Sequence, residues 1–240
     1  MTNLMKFKYL FFFISLLVIL PGLYSLGRYG LKLSIDFTGG TVVEKNAAGE
    51  IIKSETVGPI VGKETTENAI KSVGVASLAI ILYIAYAFRE IPKPYSTWKF
   101  WISAVVSLLH DVFVVVGIFS LLGHFYGVQV DSLFVTALLT VIGFSVHDTI
   151  VVFDRIRENL NKDFRKPFAV VVNESLVQTL GRSLSTSLTV LLTLLALLLF
   201  GGESIRWFVV ALFVGIFSGT YSSIFNAAPF LVLWEEKREN

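Results

Sequence analysis

Six long runs of apolar residues alternate with short polar segments along the chain. A helix that crosses a bilayer needs about 20 mostly apolar residues, and each run approaches or exceeds that length. We therefore predict an all-α polytopic membrane protein. Its six transmembrane helices are predicted at residues 8–25, 69–88, 99–122, 131–153, 183–200 and 207–234.

The segment 26–68 is the only long stretch predicted to lie outside the membrane on the outer side. Apolar and polar residues alternate over 31–37 as in a strand, residues 55–63 form a second strand-like piece, and 46–50 resembles a turn. About 40 residues cannot build a core of their own. We predict three regions: a first helix over 1–25, a short outer β-like hairpin or lid over 26–68, and a five-helix region over 69–240 with an inner loop at 154–182.

Composition supports a membrane protein and excludes several kinds of chemistry. The chain is 54% hydrophobic and 16% charged, whereas soluble domains are about 25% charged. It has no cysteine, which excludes disulfides, thiol catalysis and cysteine metal sites. Phosphate-loop, zinc-protease and serine-hydrolase motifs are absent from the sequence. We predict no enzymatic activity, no cofactor and no metal site. The net charge of +2 does not bear on nucleic acid, and a nucleic-acid partner is not expected.

Lysine and arginine set the predicted orientation. If the N-terminus lies inside, most basic residues fall on inner segments and in the C-terminal tail, and the outer loop 123–130 has none. We therefore predict that both termini are cytoplasmic. The alternative for the first apolar run is a signal peptide cleaved near Ser25-Leu26-Gly27, but the run is longer than a usual signal-peptide core.

Two of the predicted helices contain a His-Asp pair, His110-Asp111 and His147-Asp148. A charged carboxylate inside hydrocarbon costs about 2.5–3.5 kcal/mol on insertion scales and is usually functional. At the rise of an α-helix, Asp148 is expected about 9 Å from the inner face and Asp111 about 18 Å from it. Because carboxyl and imidazole groups can bind and release protons, we predict proton handling at these four residues. The alternative is that they only join helices by hydrogen bonds.

The fifth predicted helix begins near Arg182 and has one polar face. Arg182, Thr186, Thr189 and Thr193 recur at helical spacing. Arg182 could simply anchor the helix at the inner surface. Our hypothesis is that Arg182 instead pairs with Asp148, and that the pair breaks and reforms as a proton passes.

Smaller features predict local packing. Gly215 and Gly219 form a Gly-x-x-x-Gly face, which favours close helix packing. Pro229 is expected to kink the inner end of the last helix, and Pro167 to end any long helix in the inner segment. Residues 168–180 are amphipathic, which suits a helix lying on the inner surface as well as an ordinary connection between helices.

The stretch from Gly143 to Asn159 resembles the signature of the SecF branch of the SecD/SecF family. Members of this family are membrane subunits of the bacterial protein-export machinery. Further matches occur in the same order at 36–40, 57–62, 110–111, 179–183, 200–202 and 219–223, so the resemblance covers nearly the whole chain. The motif residues on which it rests outside the His-Asp pairs are Asp36, Gly39, Gly40, Gly58, Pro59, Asp154, Arg155 and Arg157.

The resemblance implies a fold, a function and partners. The six helices would form half of a pseudo-symmetric bundle of the resistance-nodulation-division type, in the bacterial cell membrane. The partners would be SecD, the SecYEG channel, the translocating unfolded polypeptide and membrane lipid. The pair of subunits would use the proton gradient in late steps of protein export, with the positions of Asp148 and Arg182 implicated in proton transfer. Relatives often have asparagine at the position of His147, so the resemblance gives His147 no titrating role.

One departure from the family pattern concerns the outer segment. Family members usually have a small α+β domain between the two motifs around Gly39 and Gly58. Here both motifs are present, but the interval between them is too short for that domain. The domain is therefore shortened or deleted, near residues 46–50, and a natural short form and an engineered deletion both fit the sequence.

Two other functions are alternatives for a chain with this sequence. The first is an independent proton-coupled exporter of small molecules on the same superfamily fold, which would have to act as a homodimer. The second is an intramembrane aspartyl protease that uses Asp111 and Asp148. The predicted depths of these residues differ by about 9 Å, and the sequence contexts of such proteases are missing, which argues strongly against the protease.

Overall fold

The helices in the structure follow the predicted apolar runs and extend beyond most of them. The computed structural model describes residues 4–45, 51–92, 95–163 and 165–239. Within them, six helical segments are long and apolar enough to cross a membrane, which confirms the predicted multi-pass helical membrane protein. In chain order the helices and strands are α1 (Lys8–Tyr29), α2 (Ile35–Thr38), β1 (Gly40–Lys45), β2 (Ile51–Val57), α3 (Pro59–Ala87), α4 (Thr97–Tyr126), α5 (Ser132–Lys162), α6 (Phe168–Phe200), α7 (Arg206–Ser222) and α8 (Ala228–Glu239).

Helices α4, α5 and α7 form the centre of the bundle. About half of the most apolar window of each is buried inside the chain, at 44%, 50% and 61% for the crossings that contain α4, α5 and α7. The corresponding share is 17% for the crossings that contain α1 and α6, and only 6% for α3. Most of the surface of α3 is therefore not covered by the rest of the chain and faces its surroundings in the membrane.

The outer segment contains the predicted hairpin, but at different residues. Strands β1 and β2 pair antiparallel with Gly40 opposite Val57, and the register shifts near Glu44. The predicted strand over 31–37 is wrong: residues 31–34 form only an isolated bridge, at Leu33, and the helical turn α2 follows from Ile35. The turn forms because the Ser34 hydroxyl caps it and accepts a hydrogen bond from the Asp36 N–H at 3.2 Å. The predicted turn over 46–50 lies outside the described residues.

The second predicted strand also ends early, because α3 begins at Pro59. Gly58 is extended and Pro59 occupies the first turn of the helix, where a missing N–H has no cost. Residues 59–63 therefore belong to α3 and not to the strand. The helix starts well before the apolar run that predicted it.

Glycines bring two pairs of helices into close contact. A Cβ atom added at Gly22 of α1 would lie 2.8 Å from the Cα of Gly117 in α4, so these helices touch backbone to backbone. A Cβ atom added at Gly215 of α7 would lie 2.1 Å from a methyl group of Val141 in α5. The predicted close packing at the Gly-x-x-x-Gly face is therefore confirmed.

Helix α6 is a single helix of 33 residues, about 50 Å long at 1.5 Å per residue. Neither alternative for residues 168–180, a helix on the inner surface or an ordinary connection between helices, is observed: their apolar face packs into the core as the first part of α6. Nothing between Leu180 and Ser183 interrupts the helix, since Gly181 alone does not break it. Pro167 precedes α6 and separates it from α5, as predicted.

The last crossing is broken at its inner end, close to the predicted kink. Five residues, Ser223–Ala227, form a π turn between α7 and α8. Pro229 follows it and has no N–H to donate to the carbonyl of Phe225, which helps to explain the irregular turn. At the end of α8, Glu235 forms a buried ion pair with Lys99 of α4, and Glu236 contacts Lys8 of α1.

Candidate functional site

Asp111 is the centre of a buried polar cluster where α4, α5 and α7 meet. Its side chain is fully buried. One carboxylate oxygen accepts hydrogen bonds from the hydroxyls of Ser145 at 2.5 Å and Ser222 at 2.6 Å. The other accepts from the hydroxyl of Ser218 at 2.7 Å. Three hydroxyl donors thus offset the cost of placing this carboxylate in an apolar bundle.

The local sequence of α7 explains how two of these donors reach one carboxylate. Ser218 and Ser222 are four residues apart and therefore lie on the same face of the helix. Gly219 between them leaves room for the acid, because a Cβ atom there would lie 3.5 Å from the Asp111 carboxylate and 3.2 Å from the Cβ of Ser145. The small residues of α7 thus both bring α5 close and supply hydroxyls.

His110 is the fourth polar contact of Asp111. Its Nδ1 lies 3.0 Å from the second carboxylate oxygen of Asp111. Its Nε2 is buried and has no hydrogen-bond partner within the described part of the chain. The ring lies between two apolar cavities of about 290 and 420 Å³ that flank α1. One imidazole nitrogen is therefore engaged, and the other faces an apolar environment.

Asp148 forms a second, smaller cluster about one turn further along α5. It is 2% exposed and accepts a hydrogen bond from Ser187 of α6 at 3.4 Å. The Ser187 hydroxyl in turn accepts from Thr220 of α7 at 2.6 Å. Since the Asp148 contact is long and comes from a single donor among the described residues, this carboxylate is held far less firmly than Asp111.

The two clusters are closer in depth than the sequence predicted. Asp111 contacts Ser145, which precedes Asp148 by three residues, or about 4.5 Å along α5. The predicted depth difference of about 9 Å is therefore too large, because counting residues from the ends of two apolar runs does not fix how α4 and α5 are aligned with each other. The two carboxyls nevertheless bind different donors, and no hydrogen bond joins them in the residues described.

Arg182 is not paired with Asp148 in this structure. Arg182 and the threonines of its stripe lie on the exposed face of α6, whereas Ser187, which contacts Asp148, is buried. Ser187 lies about 140° around the helix from Arg182 at 3.6 residues per turn, so one orientation of α6 cannot aim both at Asp148. No ion pair of Arg182 occurs within the described ranges. The exchange of partners that we predicted stays a prediction.

His147 is also exposed, on the side of α5 away from the bundle. It makes no hydrogen bond in the part of the chain that the structure describes. The structure therefore brings together His110 and Asp111, places Asp148 nearby, and leaves His147 and Arg182 on outward faces. No group of three or more metal-binding side chains occurs among the described residues.

The sequence interpretation missed the hydroxyl donors. It singled out acids, histidines and one arginine, but the hydroxyl donors to the acids are serines on neighbouring helices, one of which accepts in turn from a threonine. A signal was present, because small hydroxyl residues are unusually frequent near the end of α7. Their positions are Ser218, Thr220, Ser222 and Ser223.

The remaining motif residues lie at the two ends of the long helices. At one end of the bundle, Asp36 contacts Ser132 at the start of α5, and Gly39 packs against Pro59 at the start of α3. Gly39 and Gly40 have φ values of 69° and 123°, which favour glycine. At the inner end of α5, Arg157 pairs with Asp154 at 2.6 Å.

Two family descriptions match this chain. Residues 40–237 match "Protein export membrane protein SecD/SecF, C-terminal", and residues 24–44 match "SecD/SecF GG Motif". The second range includes Asp36, Gly39 and Gly40.

Curated relatives match over nearly the whole chain. A protein translocase subunit SecF of Thermobaculum terrenum is 43% identical, with 99% of this chain and 95% of the relative covered. That alignment spans 304 positions against a chain of 240 residues, so at least 64 positions of the relative have no counterpart here. A SecF subunit of Anaerolinea thermophila is 39% identical, with 98% and 94% covered.

A solved structure has the same fold. The crystal structure of SecDF, a translocon-associated membrane protein from Thermus thermophilus, superposes with a TM-score of 0.85 at 33% identity. It matches 98% of this chain, which spans only 39% of that longer chain.

Proposed function

The chain belongs to the SecD/SecF family of protein-export membrane proteins, and on that premise we propose that it couples the proton gradient to late steps of protein export as an auxiliary subunit of the Sec translocase. The role is mechanical and not enzymatic: the chain binds and releases protons but transforms no substrate. Its expected partners are a SecD subunit, the SecYEG channel and the translocating polypeptide. The fused SecDF relatives, of which this chain matches one part, support the first of these.

The observation that carries the proposal is a pair of buried carboxylates on adjacent crossings of the membrane. Asp111 and Asp148 are 0% and 2% exposed, and carboxylates at such depth are rarely kept without a function. Their four hydroxyl donors lie on α5, α6 and α7, so a proton on either acid changes the contacts between helices. Proton binding is thereby converted into helix movement.

The contrast between the two acids suggests different tasks. Asp111 has three hydroxyl donors and an imidazole and is suited to a fixed role in the bundle. Asp148 has one long hydrogen bond, from Ser187, and is suited to exchanging partners. We assign the transferred proton to Asp148.

Arg182 completes the proposed cycle. Its exposed position on α6 allows it to reach Asp148 only after rotation of α6 or through a rearrangement with the partner subunit. A cation beside Asp148 would favour release of the proton. The polar stripe of α6 would then face the SecD subunit, because exposed arginine and threonine are unfavourable against lipid.

The orientation of the chain in the membrane and its short outer segment determine which steps of export it can take part in. The distribution of basic residues supports cytoplasmic termini in the bacterial cell membrane. We propose that the positions missing relative to the SecF relatives fall at the tip of the hairpin, between β1 and β2. The chain would then keep proton handling and lose part of the work done on the outer side.

The test is export driven by a proton gradient in vesicles that contain the full complex. Asp148→Asn should abolish the stimulation of export by the gradient and leave export without a gradient unchanged. Asp163→Asn is the matched control, since it is the same substitution just beyond the inner end of the same helix. Full stimulation in Asp148→Asn would refute the proposal.

A second arm addresses the cation. Arg182→Met should also remove the stimulation, although Arg182 contacts no acid in the described structure. If Arg182→Met retained normal gradient-dependent export, the proposed exchange with Asp148 would be wrong. If the complex purified only as a homodimer of this chain, without SecD or SecYEG, the exporter alternative would be favoured instead.

A further inference from the structure

A carboxylate of the outer segment is bound to the start of the helix that carries Asp148. The Asp36 side chain accepts hydrogen bonds from the backbone N–H of Ser132 at 3.0 Å and from its hydroxyl at 2.5 Å. Ser132 is the first residue of α5, and the preceding Asp131 already caps the helix by accepting from the N–H of Phe134 at 2.8 Å. Helix α5 thus has a local cap and a second carboxylate from a segment 96 residues away.

Two backbone hydrogen bonds strengthen this connection. The N–H of Ser34 donates to the carbonyl of Val130 at 2.9 Å, and the N–H of Val130 donates to the carbonyl of Lys32 at 2.7 Å. Residues 32–36 and 130–132 are therefore joined by both backbone and side chain. The side-chain part depends on Asp36 alone.

The same outer segment is interlocked with the hairpin and with α3. A Cβ atom on Gly39 would lie 2.9 Å from the Cα of Pro59, and one on Gly62 would lie 2.8 Å from the nitrogen of Gly39. The Thr66 hydroxyl donates to the carbonyl of Phe37 at 3.3 Å. Because these contacts are between backbones, α2, β1 and the start of α3 move together and not separately.

Helix α5 connects this block to the buried acids. It runs without interruption from Ser132 to Lys162 and contains no proline. Ser132 and Asp148 are 16 residues apart, about 24 Å along the axis. A shift or rotation of α5 caused by a change at Asp148 therefore reaches the residue that Asp36 holds.

From these contacts we infer that Asp36 is a positioning residue, which fastens the outer segment to the N-terminus of α5 so that the protonation state of Asp148 changes the arrangement of the outer segment. The inference rests on the proposed function of Asp148. A carboxylate is favoured at this place because the N-terminus of a helix presents free N–H groups and a partial positive charge. The physical link is a continuous rigid helix with a specific contact at each end.

The experiment measures hydrogen–deuterium exchange in the full chain in lipid nanodiscs. Asp36→Ala should raise the exchange rate of peptide 128–136 about fivefold, the typical effect of losing a helix cap. Asp36→Asn should restore most of the protection, because the amide oxygen still accepts a hydrogen bond. Glu64→Ala is the control, since it removes an exposed carboxylate that makes no hydrogen bond or ion pair with α5 in the described part of the chain, and it should leave this peptide unchanged.

The coupling is tested with Asp148→Asn as a mimic of the protonated acid. In the otherwise unchanged chain it should alter exchange over residues 31–40 by at least about threefold, and in the Asp36→Ala background the difference should become smaller, because only the two backbone hydrogen bonds with Val130 then remain. A difference of equal size in both backgrounds, or none in either, would overturn the inference.

Comparing hydrogen–deuterium exchange with export distinguishes the role of Asp36 from the proton-driven function of Asp148. If exchange is coupled through Asp36 but Asp148→Asn exports normally, the link stands and the proton-driven function fails. If Asp148→Asn abolishes gradient-driven export but Asp36→Ala leaves the exchange response intact, the function stands and the role of Asp36 fails.

Discussion

Where α1 crosses α4, the two helices touch at Gly22 and Gly117, and the substitution Gly117→Ala tests how much this contact matters. The added Cβ atom would lie 2.8 Å from the Cα of Gly22 and 3.1 Å from its carbonyl carbon. Carbon atoms in contact are normally about 3.5–4.0 Å apart. Because the obstacle is backbone, the helices must separate by about 1 Å.

Separating α1 from α4 lowers the free energy of unfolding. Overpacking of this kind typically costs about 1–3 kcal/mol. The hydroxyls of Ser25 and Ser120, one turn away, are 2.9 Å apart and would lose their hydrogen bond, worth about 0.6 kcal/mol in a membrane protein. Alanine regains about 1 kcal/mol of helix propensity over glycine. We expect a net loss of about 1–2 kcal/mol.

The assay is thermal unfolding in detergent, followed by the fluorescence of the four tryptophans. Gly143→Ala is the matched control, because Gly143 lies at a similar distance from the outer end of its helix and a Cβ atom there would meet nothing within 4 Å. Gly117→Ala should melt about 4–12 °C below the control, from a difference of about 2–3 kcal/mol. Equal melting temperatures would refute the backbone contact between α1 and α4.

Two further substitutions test buried polar contacts in the same melting assay. Glu235→Leu leaves the buried ammonium of Lys99 without its carboxylate and should cost about 3–5 kcal/mol. Adding Lys99→Met should recover most of that loss, and equal melting of the single and double variants would contradict the ion pair. Asp111→Leu removes the acceptor of three serine hydroxyls and should cost about 1–3 kcal/mol. Asp111→Asn keeps an amide oxygen and should melt higher than Asp111→Leu; the reverse order would mean that the hydroxyls do not stabilise the fold.

Much of the fold could be predicted because hydrocarbon imposes a strict rule on the backbone. Only helices satisfy their own polar groups in a bilayer, so six apolar runs give six helices. The same rule does not operate outside the membrane. There the N-cap at Ser34 turned an alternating stretch into α2, and Pro59 began a helix where the pattern indicated a strand.

The candidate site could be predicted in part. Burial of Asp111 and Asp148 followed from their place in apolar runs, and the structure places both inside the bundle. Which donors reach them depends on how α4, α5, α6 and α7 are rotated against each other, and a single sequence does not specify those rotations. For the same reason the side of α6 that faces Asp148 could not be deduced, and the structure shows Ser187 there and not Arg182.

Helix α3 has a thermodynamic consequence of a different kind. With 6% of its apolar window buried by the rest of the chain, very little of the free energy that positions it is intramolecular. The position of α3 therefore depends on binding by its surroundings. A protein neighbour that binds the exposed face of α3 stabilises that position by a free energy that rises with the logarithm of the neighbour's concentration. The hairpin is fixed to the start of α3 through Gly39 and Gly62, so the outer segment is subject to the same dependence on what surrounds the chain.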